Sequence, residues 1–298
     1  MNIVISGSTG LVGSHLLRYL SSKGHTMKSL VRHKPDNPSQ IQWNPPQRGP
    51  EPPELDGTDA IVHLAGESIA SGRWTETRKR TIRDSRVLGT RLLMETLPRM
   101  KRPPKVFICA SAIGYYGDRR EEILKEGSSP GSGFLPDVCI AWEAATVPAK
   151  QIGIRVVNLR FGMILSSEGG ALKQMLFPFK MGVGGNLGSG SQVMSWITLD
   201  DVLGIIAYAI ETPSLQGPVN VVAPAAVTNA EFTKTLGRVL KRPTILPIPA
   251  FAARLLFGEM ADALLLSSAR VEPAILLQSG YHFQWPNLEG AFRHLLKK

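Results

Sequence analysis

Apolar and polar positions along this chain follow two alternating rhythms. Short runs rich in Ile, Val and Leu occur at residues 2–6, 26–32, 60–64, 105–110, 155–160 and 217–222, with segments of helical period between most of them. The first run, Ile3-Val4-Ile5, is apolar at successive positions, as expected of a central strand covered on both faces. Residues 11–23 then place Leu16, Leu17 and Leu20 at helical spacing. Strand and helix alternating in this way predict an α/β architecture built on a doubly wound parallel sheet. Residues 35–53 hold seven prolines and cannot be helical throughout, so a loop around a short Ile41-Gln42-Trp43 strand is expected. The glycine-rich stretch 182–190 also reads as a loop. Beyond about Ala223 the rhythm gives way to helices punctuated by proline. The expected division is a larger α/β domain over 1–222, with 166–190 contributing to a second lobe, and a smaller, mainly helical C-terminal lobe over 223–298.

Composition narrows the functional classes. With 298 residues, 43% apolar and 19% charged, the chain can bury a sizeable core. Cys109 and Cys139 are too few for a disulfide framework or a structural zinc site, which points to a reducing compartment, with the cytoplasm as the default location. No run approaches the roughly 18 apolar residues of a membrane helix. The most apolar late stretch, 255–266, is interrupted by Gly258, Glu259 and Asp262. No membrane partner is expected. Lys and Arg exceed Asp and Glu by 34 to 24, a net charge of +10 that suits phosphate-bearing partners.

The motif with the most specific physics is Gly7-Ser8-Thr9-Gly10-Leu11-Val12-Gly13, directly after the first strand and at the start of a helix. Glycines there allow a tight turn and close backbone approach, and the free N–H groups of the helix meet a pyrophosphate. The fold expectation thereby sharpens to a Rossmann-type domain. The second strand ends at Val31-Arg32-His33-Lys34. An NAD site usually carries an acidic residue at that point to hold the ribose 2′-hydroxyl, whereas a guanidinium pairs with a 2′-phosphate. Arg32 either fills that role or simply ends a strand in solvent. Together with the glycine turn it predicts NADP(H).

Other chemistries find less support. The basic run from Arg78 to Arg86 has no interleaved aromatic residues and reads as a solvated helix face, so no nucleic-acid partner is expected. The six histidines show no metal-ligand spacing. No G-x-x-x-x-G-K-[ST] loop occurs.

These features resemble the extended short-chain dehydrogenase/reductase superfamily. His63-Leu64-Ala65-Gly66 resembles the segment that lies along the cofactor, which implies contacts from Leu64 and Ala65. The stretch from Ser111 to Gly117 is similar to the one carrying the superfamily's catalytic serine. Arg160-Phe161-Gly162-Met163 resembles the border of the nicotinamide, implicating Met163, and the run from Trp196 to Val202 resembles a structural signature ahead of a helix. A closer resemblance is to the atypical epimerase-family group, through residues 63–67, Trp142-Glu143-Ala144-Ala145, Pro178-Phe179-Lys180 and the run from Thr228 to Phe232.

The departures bear on chemistry. Where ordinary members carry Y-x-x-x-K, counting back from Glu143 places Cys139 at the lysine and Leu135 at the tyrosine. Arg86 falls at the active-site asparagine, and the resemblance implies that it contacts NADP. Leucine transfers no proton, and a cysteine thiol is neutral at its ordinary pKa of about 8.5. Ser111 remains as the catalytic candidate, orienting a substrate carbonyl or else satisfying the end of its strand. Tyr115, Tyr116 and Glu67 are substitute proton-transfer groups or packing and surface residues. Cys139 is a reactive thiol or a buried inert one. Two functions follow as expectations. One is an NADP(H)-dependent oxidoreductase or epimerase acting on a small carbonyl or hydroxyl substrate. The other is a regulatory protein that senses NADP(H) after losing catalysis.

Overall fold

The computed structural model describes residues 1–45, 47 and 49–297; Pro46 and Arg48, within the expected proline-rich loop, and Lys298 lie outside the described residues. Seven strands form one parallel sheet: β1 (Asn2–Ser6), β2 (Thr26–Val31), β3 (Gln40–Gln42), β4 (Ala60–His63), β5 (Val106–Ala112), β6 (Arg155–Phe161) and β7 (Gly217–Val221). Their spatial order is β3-β2-β1-β4-β5-β6-β7. The chain reverses direction across the sheet between β1 and β4, and ligands of such sheets bind at that switch point, beyond the carboxyl ends of the strands.

The helices of eight residues or more are α1 (Leu11–Ser22), α2 (Glu76–Thr96), α3 (Phe134–Ala144), α4 (Gly170–Lys180), α5 (Leu199–Glu211), α6 (Asn229–Leu240), α7 (Ala250–Phe257) and α8 (Leu288–Leu295). Strand parity sorts the core into two layers. Ile3 and Ile5 of β1 face Leu16 and Leu20 of α1 and the apolar stripe of α5. Val4, one residue out of phase, faces the other way, toward Leu93 of α2 and Trp142 of α3. This is why β1 is apolar at every interior position.

A third cluster is built by Leu172 and Leu176 of α4, Phe232 and Leu236 of α6, and Phe292 of α8. The chain after β7 also returns to the first layer, where Leu276 is buried in its core. That return is fixed by Asp201 in the first turn of α5. Its carboxylate accepts the amides of Gln284 at 2.8 Å and Trp285 at 3.1 Å, and the Thr198 hydroxyl at 3.0 Å. Burial raises its pKa, opposed by those hydrogen bonds. A buried carboxylate persists only when paired in this way.

Candidate active site

The glycine turn sits at the switch point, and its glycines have separate steric reasons. Gly7 has φ +74°, and a Cβ there would lie 2.8 Å from the Leu64 carbonyl carbon and 2.9 Å from the Ala65 nitrogen. A Cβ on Gly13 would strike the Gly7 oxygen and come within 2.9 Å of the Ser8 Cα. Gly10 is the N-cap of α1; no side chain caps that helix, and its first turn holds no acidic residue. The positive end of α1 is therefore left for an external anion. Thr9 and Gly10 are exposed there, while Leu11 and Val12 are partly buried and pack onto the first core layer. A dinucleotide pyrophosphate fits this cradle.

The wall opposite the turn, Leu64 to Gly66, is held by a buried relay. The Leu64 and Ala65 amides both donate to Ser6 Oγ at 3.2 Å. Ser6 Oγ lies 2.6 Å from His63 Nδ1, and His63 Nε2 lies 3.1 Å from Thr90 Oγ1. Thr90 in turn donates to the Arg86 carbonyl at 2.7 Å. With Ser6 already accepting twice, its hydroxyl donates to Nδ1, which puts the His63 proton on Nε2. Complete burial lowers the His63 pKa to about 3 and keeps the ring neutral.

Two arginines flank this wall. Arg32 is exposed immediately after β2, on the same edge as the glycine turn, and makes no ion pair or hydrogen bond among the described residues. Arg86 leans from α2 over the Trp142 ring at 5.1 Å and donates to the Ile82 carbonyl at 2.9 Å. Its guanidinium carbon would lie 3.2 Å from a Cβ on Gly66, so a side chain there would press on Arg86. Burial lowers its pKa from the ordinary value, against the opposing influence of Cys139 and Glu67. Met163 is half-buried just after the end of β6, in the short strand Met163–Leu165.

Ser111 is at the end of β5, buried, with its hydroxyl donating to Glu143 Oε1 at 2.7 Å. Glu143 is gripped bidentately by Arg160 of β6, from Nε and Nη2, each at 2.8 Å. Arg160 Nη1 also donates to the Tyr116 hydroxyl at 2.9 Å, and Tyr116 donates to Asn220 Oδ1 at 2.7 Å. Burial alone would lower the Arg160 pKa, but Glu143 and Tyr116 hold it above its ordinary value. Removing one partner of such a buried pair costs about 3–5 kcal/mol. Tyr115 lies with its ring 3.5 Å from the Arg160 guanidinium carbon.

At the position of the superfamily's tyrosine, Leu135 packs in an apolar cluster with Trp74, Ile82, Met260 and Leu264. Cys139 is buried, and burial pushes its thiol up to about 11, so it is inert at neutral pH. Glu67 is paired with Arg78 at 3.3 Å. Among the described residues, no group of three or more His, Cys, Asp or Glu side chains could hold a metal ion.

Sequence reading missed the partners of Ser111 and His63. Glu143 and Arg160 stand 17 residues apart and on different elements. Nothing in local spacing joins them, although both lie in segments the resemblance had singled out.

A model of the NAD-dependent epimerase/dehydratase family matches residues 3–222, and one of a domain of unknown function (DUF1731) matches 248–295. The chain belongs to the NAD-dependent epimerase/dehydratase family. Within it, an "epimerase family protein" of Mycobacterium tuberculosis, MT2273, is 43% identical over 281 residues, covering 94% of this chain and 93% of the relative. The crystal structure of human epimerase family protein SDR39U1 with NADPH superposes with a TM-score of 0.89 at 32% identity, covering 100% of both chains. That of a Corynebacterium glutamicum protein described as a nucleoside-diphosphate sugar epimerase gives 0.82 at 37%, covering 99% of this chain and 58% of the other.

Proposed function

We propose that this protein binds NADP(H) across the carboxyl edge of the sheet and uses it to reduce or oxidise a small carbonyl or hydroxyl substrate. The observation carrying this reading is the uncapped start of α1 beneath Gly7 and Gly13, with the unpaired Arg32 on the same edge. Support comes from the human relative crystallised with NADPH. In this reading Gly7, Thr9, Gly10, Leu11, Val12 and Gly13 hold the pyrophosphate and Arg32 the 2′-phosphate. Leu64, Ala65, Arg86 and Met163 line the remainder. When bound, the cofactor supplies or accepts a hydride. Arg86 brings a fixed cation to the site where Cys139 carries none. The residues from 223 onward form the lobe that closes over the substrate.

Ser111 orients a substrate oxygen in this scheme, which requires it to exchange its bond to Glu143 for one to the substrate. The same bond favours a second reading. With Ser111 committed to Glu143, and Leu135 and Cys139 unable to transfer a proton, the protein senses NADP(H) without turning it over.

The deciding experiment follows deuterium from 4-deuterated NADPH into a metabolite extract by mass spectrometry, with Arg86→Ala as control. A labelled product that disappears in the variant is expected, and its mass identifies the substrate. Absence of label at demonstrated cofactor saturation favours the sensing reading.

A further inference from the structure

Among the described residues, sixteen large apolar side chains are exposed, and ten of them fall within residues 177–183 and 245–257. The two segments lie side by side. The Ile248 amide donates to the Asn186 carbonyl at 2.8 Å, and the Gly188 amide donates to the Ile248 carbonyl at 2.9 Å. A Cβ on Gly182 would meet the Pro243 ring at 3.6 Å. Thus the end of α4, the loop after it and the segment leading into α7 form one face.

The helix α7 is inverted relative to an ordinary surface helix, which turns its apolar stripe to the core. Its buried residue is Ala253, whereas Phe251 and Leu255, one turn apart, are each 72% exposed. Phe177 and Ile245 on the adjoining segments are 74% and 79% exposed, so these side chains protrude from the surface. Exposed apolar groups in such concentration mark an interaction surface.

The charge of this face is one-sided. Residues 170–190 and 241–258 contain Lys173, Lys180, Lys241, Arg242 and Arg254, and no Asp or Glu. Arg254 is paired with Asp262 at 2.9 Å. The other four are exposed and make no ion pair among the described residues. A second copy docked through the same face by a two-fold axis would set these cations against one another. An anionic lipid surface offers both hydrocarbon for the protruding side chains and negative charge for the cations.

We propose that this face docks peripherally on anionic lipid, with Phe177, Ile245, Phe251 and Leu255 entering the headgroup boundary and Lys173, Lys180, Lys241 and Arg242 meeting lipid phosphates. No helix among the described residues is long and apolar enough to cross a membrane, and none is needed for such docking. The sequence expectation of no membrane partner rested on spanning segments alone; an interfacial face becomes visible only when exposure is known. The proposal stands independently of the cofactor reading.

The test is flotation of the full-length protein with vesicles of phosphatidylcholine alone or mixed with phosphatidylglycerol, at low and high salt. Binding to the mixed vesicles is expected, weakened by salt and at least about tenfold stronger than to phosphatidylcholine alone. The pair Lys241→Gln/Arg242→Gln should weaken it roughly 25-fold, at about fivefold per cation. The pair Phe251→Asp/Leu255→Asp should abolish it with an unchanged melting temperature, since both side chains lie in solvent. Equal binding to both vesicle types overturns the proposal, as does binding that survives the aspartate pair. So does failure to float, including the case in which sedimentation shows a dimer that the aspartate pair splits, or capture by an acidic protein instead.

Discussion

At the scale of single residues, charge placed without a partner carries most of the functional information. Arg32 is exposed and unpaired at a sheet edge where the usual NAD-site residue is acidic. In the proposed 2′-phosphate role, Arg32→Asp removes a charge-assisted contact worth about 1.5–3 kcal/mol. NADPH affinity, measured by fluorescence titration, should fall at least about tenfold while NADH affinity changes little; equal loss of both would place the 2′-phosphate elsewhere. His63 is the opposite case, a titratable group kept neutral by burial. Its folded pKa of about 3 lies below its ordinary 6.5, so the unfolded chain binds the extra proton between those values. Stability conferred by neutral His63 is complete above pH 6.5 and is lost as pH falls toward 3. Between pH 7 and pH 5 the loss should be about 2 kcal/mol, read from urea midpoints. The variant His63→Gln should flatten that slope while lowering stability at pH 7.

At the scale of elements, the fold was largely legible. Each strand of the main sheet appears within two residues of its sequence expectation, including the short strand among the prolines, because β-branched runs bounded by glycine and proline have few alternatives. Local sequence could not show how the last residues return to α5. The amides of Gln284 and Trp285 find their acceptor on Asp201, more than 80 residues earlier. Asp201 lies in the stretch resembling a structural signature, and its function is to anchor that return. The change Asp201→Ala strands two partly buried amides and the buried Thr198 hydroxyl. A cost of about 2–4 kcal/mol is expected, at roughly 1–3 for each orphaned group with partial relaxation. Hydrogen exchange should show faster opening of residues 281–296 than of the central strands.

At the scale of the whole molecule, the cofactor cleft and the C-terminal region are joined. Lys79 near the start of α2 is paired with Glu259, and Arg73 donates to the Leu255 carbonyl. The apolar cluster around Leu135 also includes Met260 and Leu264. A ligand bound in the cleft should therefore stabilise the molecule as a unit. NADPH at a hundred times its Kd adds about 2.7 kcal/mol, a rise of about 5 °C in Tm by calorimetry. A single shifted transition is expected; a separate, unshifted one from the C-terminal region would show that the two are uncoupled.

The sequence by itself determined the sheet, the helices that cover it, the glycine turn and the basic residue beside it. These depend on short-range periodicity and on the stereochemistry of adjacent residues, which a linear pattern records. Only the tertiary structure decided that Ser111 is tied to Glu143 and Arg160, that His63 is neutral between Ser6 and Thr90, and that α7 turns its apolar side chains outward. Those facts depend on which distant segments meet and on which side chains solvent reaches, and neither is a property of neighbours along the chain.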